Sequence, residues 1–174
     1  MNSFSIEDMK LFSPDSGYVD DRGIVYTTSF NFEQDFLEEK VSISKTNTMR
    51  GFHGDSFTGK LFTCLSGEIK MVVVDRREGS KTFFTGDKTQ GYFSVILSAK
   101  ENNHLYVPSG CLNAHYVIDG PATLHYKTTE KYKGMSFQKT VRWNDTIIKG
   151  FPEVIDPIIS DRDTQGLKLE EVIL

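Results

Sequence analysis

No apolar run in the sequence approaches the ~20 residues needed to cross a bilayer as a helix. Its opening residues, MNSFSIEDMK, form neither a basic nor an apolar leader segment. A membrane span and a secretory signal are therefore not expected. Basic residues are not in excess either: 20 Lys and Arg stand against 24 Asp and Glu, a net charge of -4. Non-specific nucleic-acid binding needs a basic face, so no nucleic-acid partner is expected. Cysteine is scarce. Cys64 and Cys111 sit in apolar, strand-like surroundings without CxxC spacing. They read as buried free thiols, and the cytoplasm as the compartment. Histidine is scarce too, at positions 53, 104, 115 and 125 with no HxH pair. A catalytic metal needs about three or four ligands at short spacing, so no catalytic metal is expected.

What is present is a β pattern in a chain of 174 residues, the size of one domain spanning 1–174. After the turn-prone Asp20-Asp21-Arg22-Gly23, residues 23 to 30 read as a strand, and Phe32 to Lys40 as a short helix capped by Asn31. From residue 60 onward the runs are β-branched and apolar: 60 to 65 and 69 to 75 as a hairpin around Ser66-Gly67, then 91 to 98, 104 to 107, 114 to 118 and 123 to 128. Gly120-Pro121 and Pro108-Ser109-Gly110 punctuate them. A turn-rich tail ends in a short helix near 167 to 174. Short strands at roughly 8–12-residue spacing indicate an all-β sandwich or barrel of the jelly-roll and cupin class.

Several residue types in this pattern can carry chemistry. His53 stands in Met49-Arg50-Gly51-Phe52-His53-Gly54-Asp55, a glycine-flanked, charged segment just before a strong strand. An imidazole titrating near ~6.5 is the usual proton-transfer group at neutral pH, although a lone histidine is more often structural. Lys60 opens the next strand. It is either a solvated strand end or a cation placed at a developing oxyanion. Tyr126 is either an inward-packed ring or a general acid. Asp163, in Ser160-Asp161-Arg162-Asp163, is either a helix cap or a carboxylate folded back to orient His53. None of these signals names a reaction alone.

Taken in order, however, they resemble a family. The blocks MRGFH (49–53), GKLFTCLSGEI (59–69), VVVDRR (72–77), ILSAKENNHLYVPSG (96–110), HYKTT (125–129), VRWND (141–145) and PIISDRD (157–163) resemble the dTDP-4-dehydrorhamnose 3,5-epimerases, as does DDRG (20–23). The resemblance implies a cupin-like jelly roll with a few short helices. It implies a homodimer in which the early strand joins the partner's sheet, and a cofactor-independent epimerase acting next to a ketone. It further implies His53 as general base with Asp163 as its partner, Tyr126 as the acid on the opposite face, and Lys60 beside the 4-keto oxygen. Arg22 and Arg50 take the role of diphosphate contacts, and Tyr132 matches a second active-site tyrosine. Two positions depart from the pattern. Asn113 stands where these enzymes have a histidine, and Met71 where they have an aspartate. Asn113 is taken as a substrate-binding residue.

The short loop from His53 to Lys60 and the run Asn113-Ala114-His115-Tyr116 resemble the branch acting on GDP-4-keto-heptoses in capsule pathways. The expected substrate is accordingly a nucleotide-diphosphate 4-keto-heptose inverted at carbon 3, carbon 5 or both. The alternatives are a dTDP-4-keto-6-deoxyhexose 3,5-epimerase of rhamnose type, a 3,4-ketoisomerase, and a non-catalytic sugar-nucleotide-binding cupin. An epimerase incorporates solvent deuterium and leaves the ketone in place; an isomerase moves the ketone; a binding module does neither.

Overall fold

The computed structural model describes residues 5–13, 17–26 and 34–174. The strands are β1 (Lys10–Phe12), β2 (Tyr18–Asp20), β3 (Gly23–Val25), β4 (Glu38–Ser44), β5 (Met49–Gly54), β6 (Lys60–Asp75), β7 (Tyr92–Ser98), β8 (His104–Val107), β9 (Cys111–Thr128) and β10 (Lys139–Thr140). Among the described residues, helix is confined to α1 (Asp161–Thr164) and two 3-10 turns, Met135–Phe137 and Leu169–Glu171. The architecture is the expected cupin-like jelly roll.

Its spine is an antiparallel ribbon of β6 and β9. The C-terminal half of β6 pairs with the N-terminal half of β9, and that end also carries β7, β5 and β10. The other end of the ribbon carries β8, β1 and β4. Pairing register shifts between Cys64 and Ile69, where the ribbon passes from one group of strands to the other. The hairpin expected at Ser66-Gly67 is therefore not a reversal but an irregularity within one long strand. Gly67 has φ +75°, and a Cβ there would meet Asp119 O at 2.5 Å. The glycine admits the neighbouring strand rather than turning the chain. In the same way the segments 114 to 118 and 123 to 128 are one strand, β9, running through Gly120-Pro121.

Two cores follow from strand alternation. Phe62, Ile69, Met71, Val73, Leu97, Leu105, Val117 and Leu124 fill one cluster. Val72, Val74, Leu112 and Ala114 face the other side of the β5–β9–β6 sheet, where Val141, Ile148, Phe151, Val154, Leu169 and Val172 of the C-terminal segment cover them. Cys64 and Cys111 are free and buried, as expected.

The helix expected over 32 to 40 is not formed from Glu38 onward. Residues 31 to 33, including the expected cap Asn31, lie outside the described residues. Glu38–Ser44 alternates between half-buried and exposed positions and pairs with β9. The helix-favouring Glu and Lys there yield to the sheet edge they complete. The terminal helix reduces to the 3-10 turn Leu169–Glu171. Of the strand expected over 23 to 30, Gly23–Val25 forms and residues 27 to 30 lie outside the described set. No helix among the described residues is long and apolar enough to cross a membrane.

Candidate active site

One pocket of about 390 Å³ opens between the two halves of the ribbon, within the range of small-ligand sites. Its floor follows the period of two on β9: Asn113 and His115 line it from one half, and Leu124, Tyr126 and Thr128 from the other. β4 adds Glu38, Lys40 and Ser42, β5 adds Arg50 and His53, and β6 adds Lys60 and Phe62. The pocket holds the cations Lys40, Arg50, Lys60, Lys131, Lys133 and Arg162 against the carboxylates Glu38, Asp55, Glu130 and Asp163. An acidic protein thus keeps a net positive cavity, suited to an anionic ligand.

His53 Nε2 lies 2.6 Å from Asp163 Oδ1. The carboxylate can only accept there, so it fixes the proton on Nε2 and leaves Nδ1 with its lone pair. Burial lowers the His53 pKa, with Asp163 pulling partly the other way. The imidazole is therefore neutral near pH 7 and able to take a proton. Burial works against ionisation of Asp163, but its bonds with His53 and with Gly51 N–H, 3.1 Å away, hold its pKa below the usual value. Asp163 reaches this place because Ser160 caps α1, its Oγ accepting from Asp163 N. Upstream, Ile158 is bonded to Met49 and Asn47. Asp163 is thus not the cap itself. The glycine at 51 is required: φ is +107°, and a Cβ would meet Asn113 O at 2.6 Å.

Lys60 is not a solvated strand end. It is 7% exposed, and its Nζ donates to Asn113 Oδ1 at 2.8 Å. Burial brings its pKa down to about 8, against the pull of Asp55. Lysine can only donate, so the Asn113 amide turns its oxygen to Lys60 and its NH₂ elsewhere. The Tyr126 ring packs tilted against Phe62, 5.5 Å between centroids, and its hydroxyl has no protein partner among the described residues. Burial raises its pKa, which keeps the phenol protonated at neutral pH. Tyr132 lies at the rim, 50% exposed, with Lys40 Nζ 4.4 Å from its ring centre. Arg50 Nε donates to Ser44 Oγ at 3.1 Å.

Arg22 is the site residue not brought in. It sits on the β2–β3 turn, paired with Asp20 and exposed, and is absent from the pocket lining. Conversely, His115, Arg162, Lys40 and Ser42 line the pocket without having been singled out from sequence. For His115 the signal was available: it stands two residues beyond Asn113 on one strand, hence on the same face. Arg162 adjoins Asp163 and reaches Thr140 Oγ1 and Gln138 Oε1 at 2.9 and 3.0 Å. Lys40 was hidden by the helix expected to end there, and Ser42 lay in a stretch for which no element was expected. Met71 is fully buried and beside His115 in the β6–β9 register. No group of three His, Cys, Asp or Glu side chains able to hold a metal occurs among the described residues.

Residues 3–171 match the model of the family described as dTDP-4-dehydrorhamnose 3,5-epimerase. The chain belongs to that family. Its relatives include the dTDP-4-dehydrorhamnose 3,5-epimerase of Escherichia coli K12, 32% identical over 97% of this chain and 93% of that protein. In structure it is similar to a dTDP-4-dehydrorhamnose 3,5-epimerase from Bacillus anthracis with TDP and pyrophosphate bound. That likeness has a TM-score of 0.83 and 29% identity, covering 93% of this chain and 94% of the other. It is similar also to a 3'-monoepimerase from Streptomyces bikiniensis in complex with dTDP-quinovose. Here the TM-score is 0.85 and the identity 27%, covering 98% and 88%. The chain is accordingly an isomerase-type enzyme of the nucleotide-sugar epimerases.

Proposed function

We propose that the enzyme inverts carbon 3 and carbon 5 of a dTDP-linked 4-keto-6-deoxyhexose. The observation that carries this reading is the neutral His53, oriented by Asp163, in one cavity with a buried cation at Lys60 and a protonated phenol at Tyr126. His53 Nδ1 takes the proton alpha to the ketone. The electron pair moves into an enolate whose oxygen Lys60 stabilises. Tyr126 returns a proton from the opposite face, and the ketone re-forms at carbon 4. Each inversion consumes one proton and returns one, so no oxidant or metal enters the balance. Arg50, its terminal nitrogens unpartnered among the described residues, and Arg162 offer guanidinium groups for the diphosphate.

The heptose substrate expected from sequence finds no support among these relatives, which are of the dTDP type; the dTDP-hexose alternative is the better supported. The test is incubation in deuterium oxide with dTDP-4-keto-6-deoxyglucose, with a GDP-4-keto-heptose in parallel, read by mass spectrometry. Two deuterons in the dTDP sugar are expected. One deuteron makes it a mono-epimerase, and exchange confined to the GDP sugar restores the heptose reading. Binding without exchange overturns catalysis.

A cytoplasmic homodimer completes the reading. The β2–β3 hairpin exposes Tyr18, Val19, Ile24 and Val25, and the outer face of β4 exposes Val41 and Ile43. Such an apolar edge calls for cover. A second copy also offers a route for Arg22 to reach a pocket. Light scattering at micromolar concentration should give twice the chain mass; a monomer overturns the dimer.

A further inference from the structure

His115 and Ser42 are two pocket-lining polar side chains that the mechanism above does not use. His115 is 7% exposed and makes no hydrogen bond among the described residues. Ser42 Oγ is buried and likewise unpartnered. Buried polar groups in folded proteins are nearly always hydrogen-bonded, so the buried, unpartnered Ser42 hydroxyl, in one cavity with an imidazole that makes no hydrogen bond among the described residues, points to a partner that arrives with the ligand.

Their surroundings define that partner. In the sheet register Arg50, His115 and Met71 form one row, and His53, Asn113 and Val73 another two residues along β9. At about 3.3 Å per residue the rows lie some ~7 Å apart, so His115 sits about a sugar ring's breadth from Asn113. On one flank Met71 offers it nothing polar. On the other Arg50 turns its Nε to Ser44 Oγ, and Ser44 lies two residues from Ser42 on the same face of β4. Burial and the nearby Arg50 and His53 bring the His115 pKa down to about 3, so the ring is neutral. A neutral imidazole and a hydroxyl can each both donate and accept, the pattern that answers a hydroxyl. A phosphate has only oxygens to accept with, and the guanidinium of Arg50 serves it better.

We infer that His115 and Ser42 form a neutral subsite that receives a hydroxyl of the sugar, next to the phosphate-facing Arg50. This rests on the nucleotide-sugar reading above and adds that the enzyme selects for a hydroxyl at that position. A site built to pair a hydroxyl discriminates strongly against a sugar lacking it, because its own buried groups are then left unpaired.

The test uses His53→Asn protein, so that dTDP-4-keto-6-deoxyglucose stays unconverted, and calorimetric titration with that sugar nucleotide and with dTDP alone. Adding His115→Phe keeps the ring and removes its nitrogens. The expected result is an affinity for the sugar nucleotide weaker by about tenfold or more, with dTDP binding unchanged. Ser42→Ala, a truncation too small to disturb folding, should give the same pattern with a smaller loss. Equal loss for both ligands makes these residues nucleotide contacts and overturns the subsite; no loss for either makes them structural and overturns it too. If the otherwise unaltered enzyme neither binds nor exchanges the dTDP sugar, the parent reading fails and the subsite falls with it. Normal exchange with silent His115→Phe and Ser42→Ala variants sinks the subsite alone.

Discussion

Lys60 Nζ donates to Asn113 Oδ1 across 2.8 Å in the floor of the pocket, and among the described residues no carboxylate is bonded to that ammonium. The amide satisfies one proton without neutralising the charge, and burial brings the lysine down to about 8. In the proposed mechanism His53 must be neutral to act, and burial holds its pKa below the ordinary histidine value. Lys60 must be charged, and it loses its proton as pH rises through about 8. kcat/KM should therefore rise along a limb set below the ordinary histidine range and fall above about pH 8. Asn113→Asp places a carboxylate beside the ammonium and favours its charged form, so the falling limb should move to higher pH. A limb that stays put means another group sets it.

Asp163→Asn keeps the size of the side chain and removes the charge that fixes the His53 tautomer. Solvent exchange at the sugar should drop by roughly 10²–10⁴-fold, and His53→Asn should do at least as much. Circular dichroism should show both variants folded. Near-normal exchange in folded His53→Asn protein would assign the base to another residue.

Tyr126→Phe separates the two faces. His53 can still remove the proton, so deuterium should wash in on the same face while inverted product falls sharply. Lys60→Met should lose exchange and turnover together, by ~10²–10³-fold, because the enolate itself loses its cation. Mass and proton spectra of the recovered sugar distinguish the two patterns. Inversion at the normal rate by Tyr126→Phe would move the acid role to Tyr132 or water.

Gly51→Ala tests the backbone under the dyad. An alanine at φ +107° is strained, and its Cβ would press on Asn113 O and Ala114 Cα, both backbone atoms that cannot swing aside. A cost of at least ~1–3 kcal/mol follows, or several degrees of melting temperature at ~2–4 °C per kcal/mol. Exchange should fall as well, since Gly51 N–H holds Asp163. An unchanged melting temperature and rate would mean the backbone relaxes freely there.

The sequence was informative where local patterns match tertiary ones. The β-branched, apolar run through 69 to 75 and the run 104 to 107 fell in β6 and β8 because their neighbours on both sides were also strands. His53, Lys60, Tyr126 and Asp163 were legible only as an ordered set, and the structure gathers all four at one cavity. It failed where a segment's fate depends on a distant partner. Glu38-Glu39-Lys40 favours a helix in isolation, yet β9 supplies an edge and takes it as a strand. Ser66-Gly67 looks like a reversal, but the strand across from it continues, so the chain does too. Arg22 was placed at the phosphates by resemblance; within one chain its hairpin holds it at Asp20.

The C-terminal segment that seals the second core is also the arm that delivers Asp163 to the far side of the same sheet. Phe151, Val154 and Leu169 never see the ligand, yet they decide whether the histidine has its carboxylate. Damage to that outer packing would register as a chemical defect rather than a structural one: the strands stay paired and the cavity stays open while the base turns idle. The carboxylate proposed to orient the base thus hangs on the least conspicuous part of the architecture, a coat of irregular chain on the back of a strand.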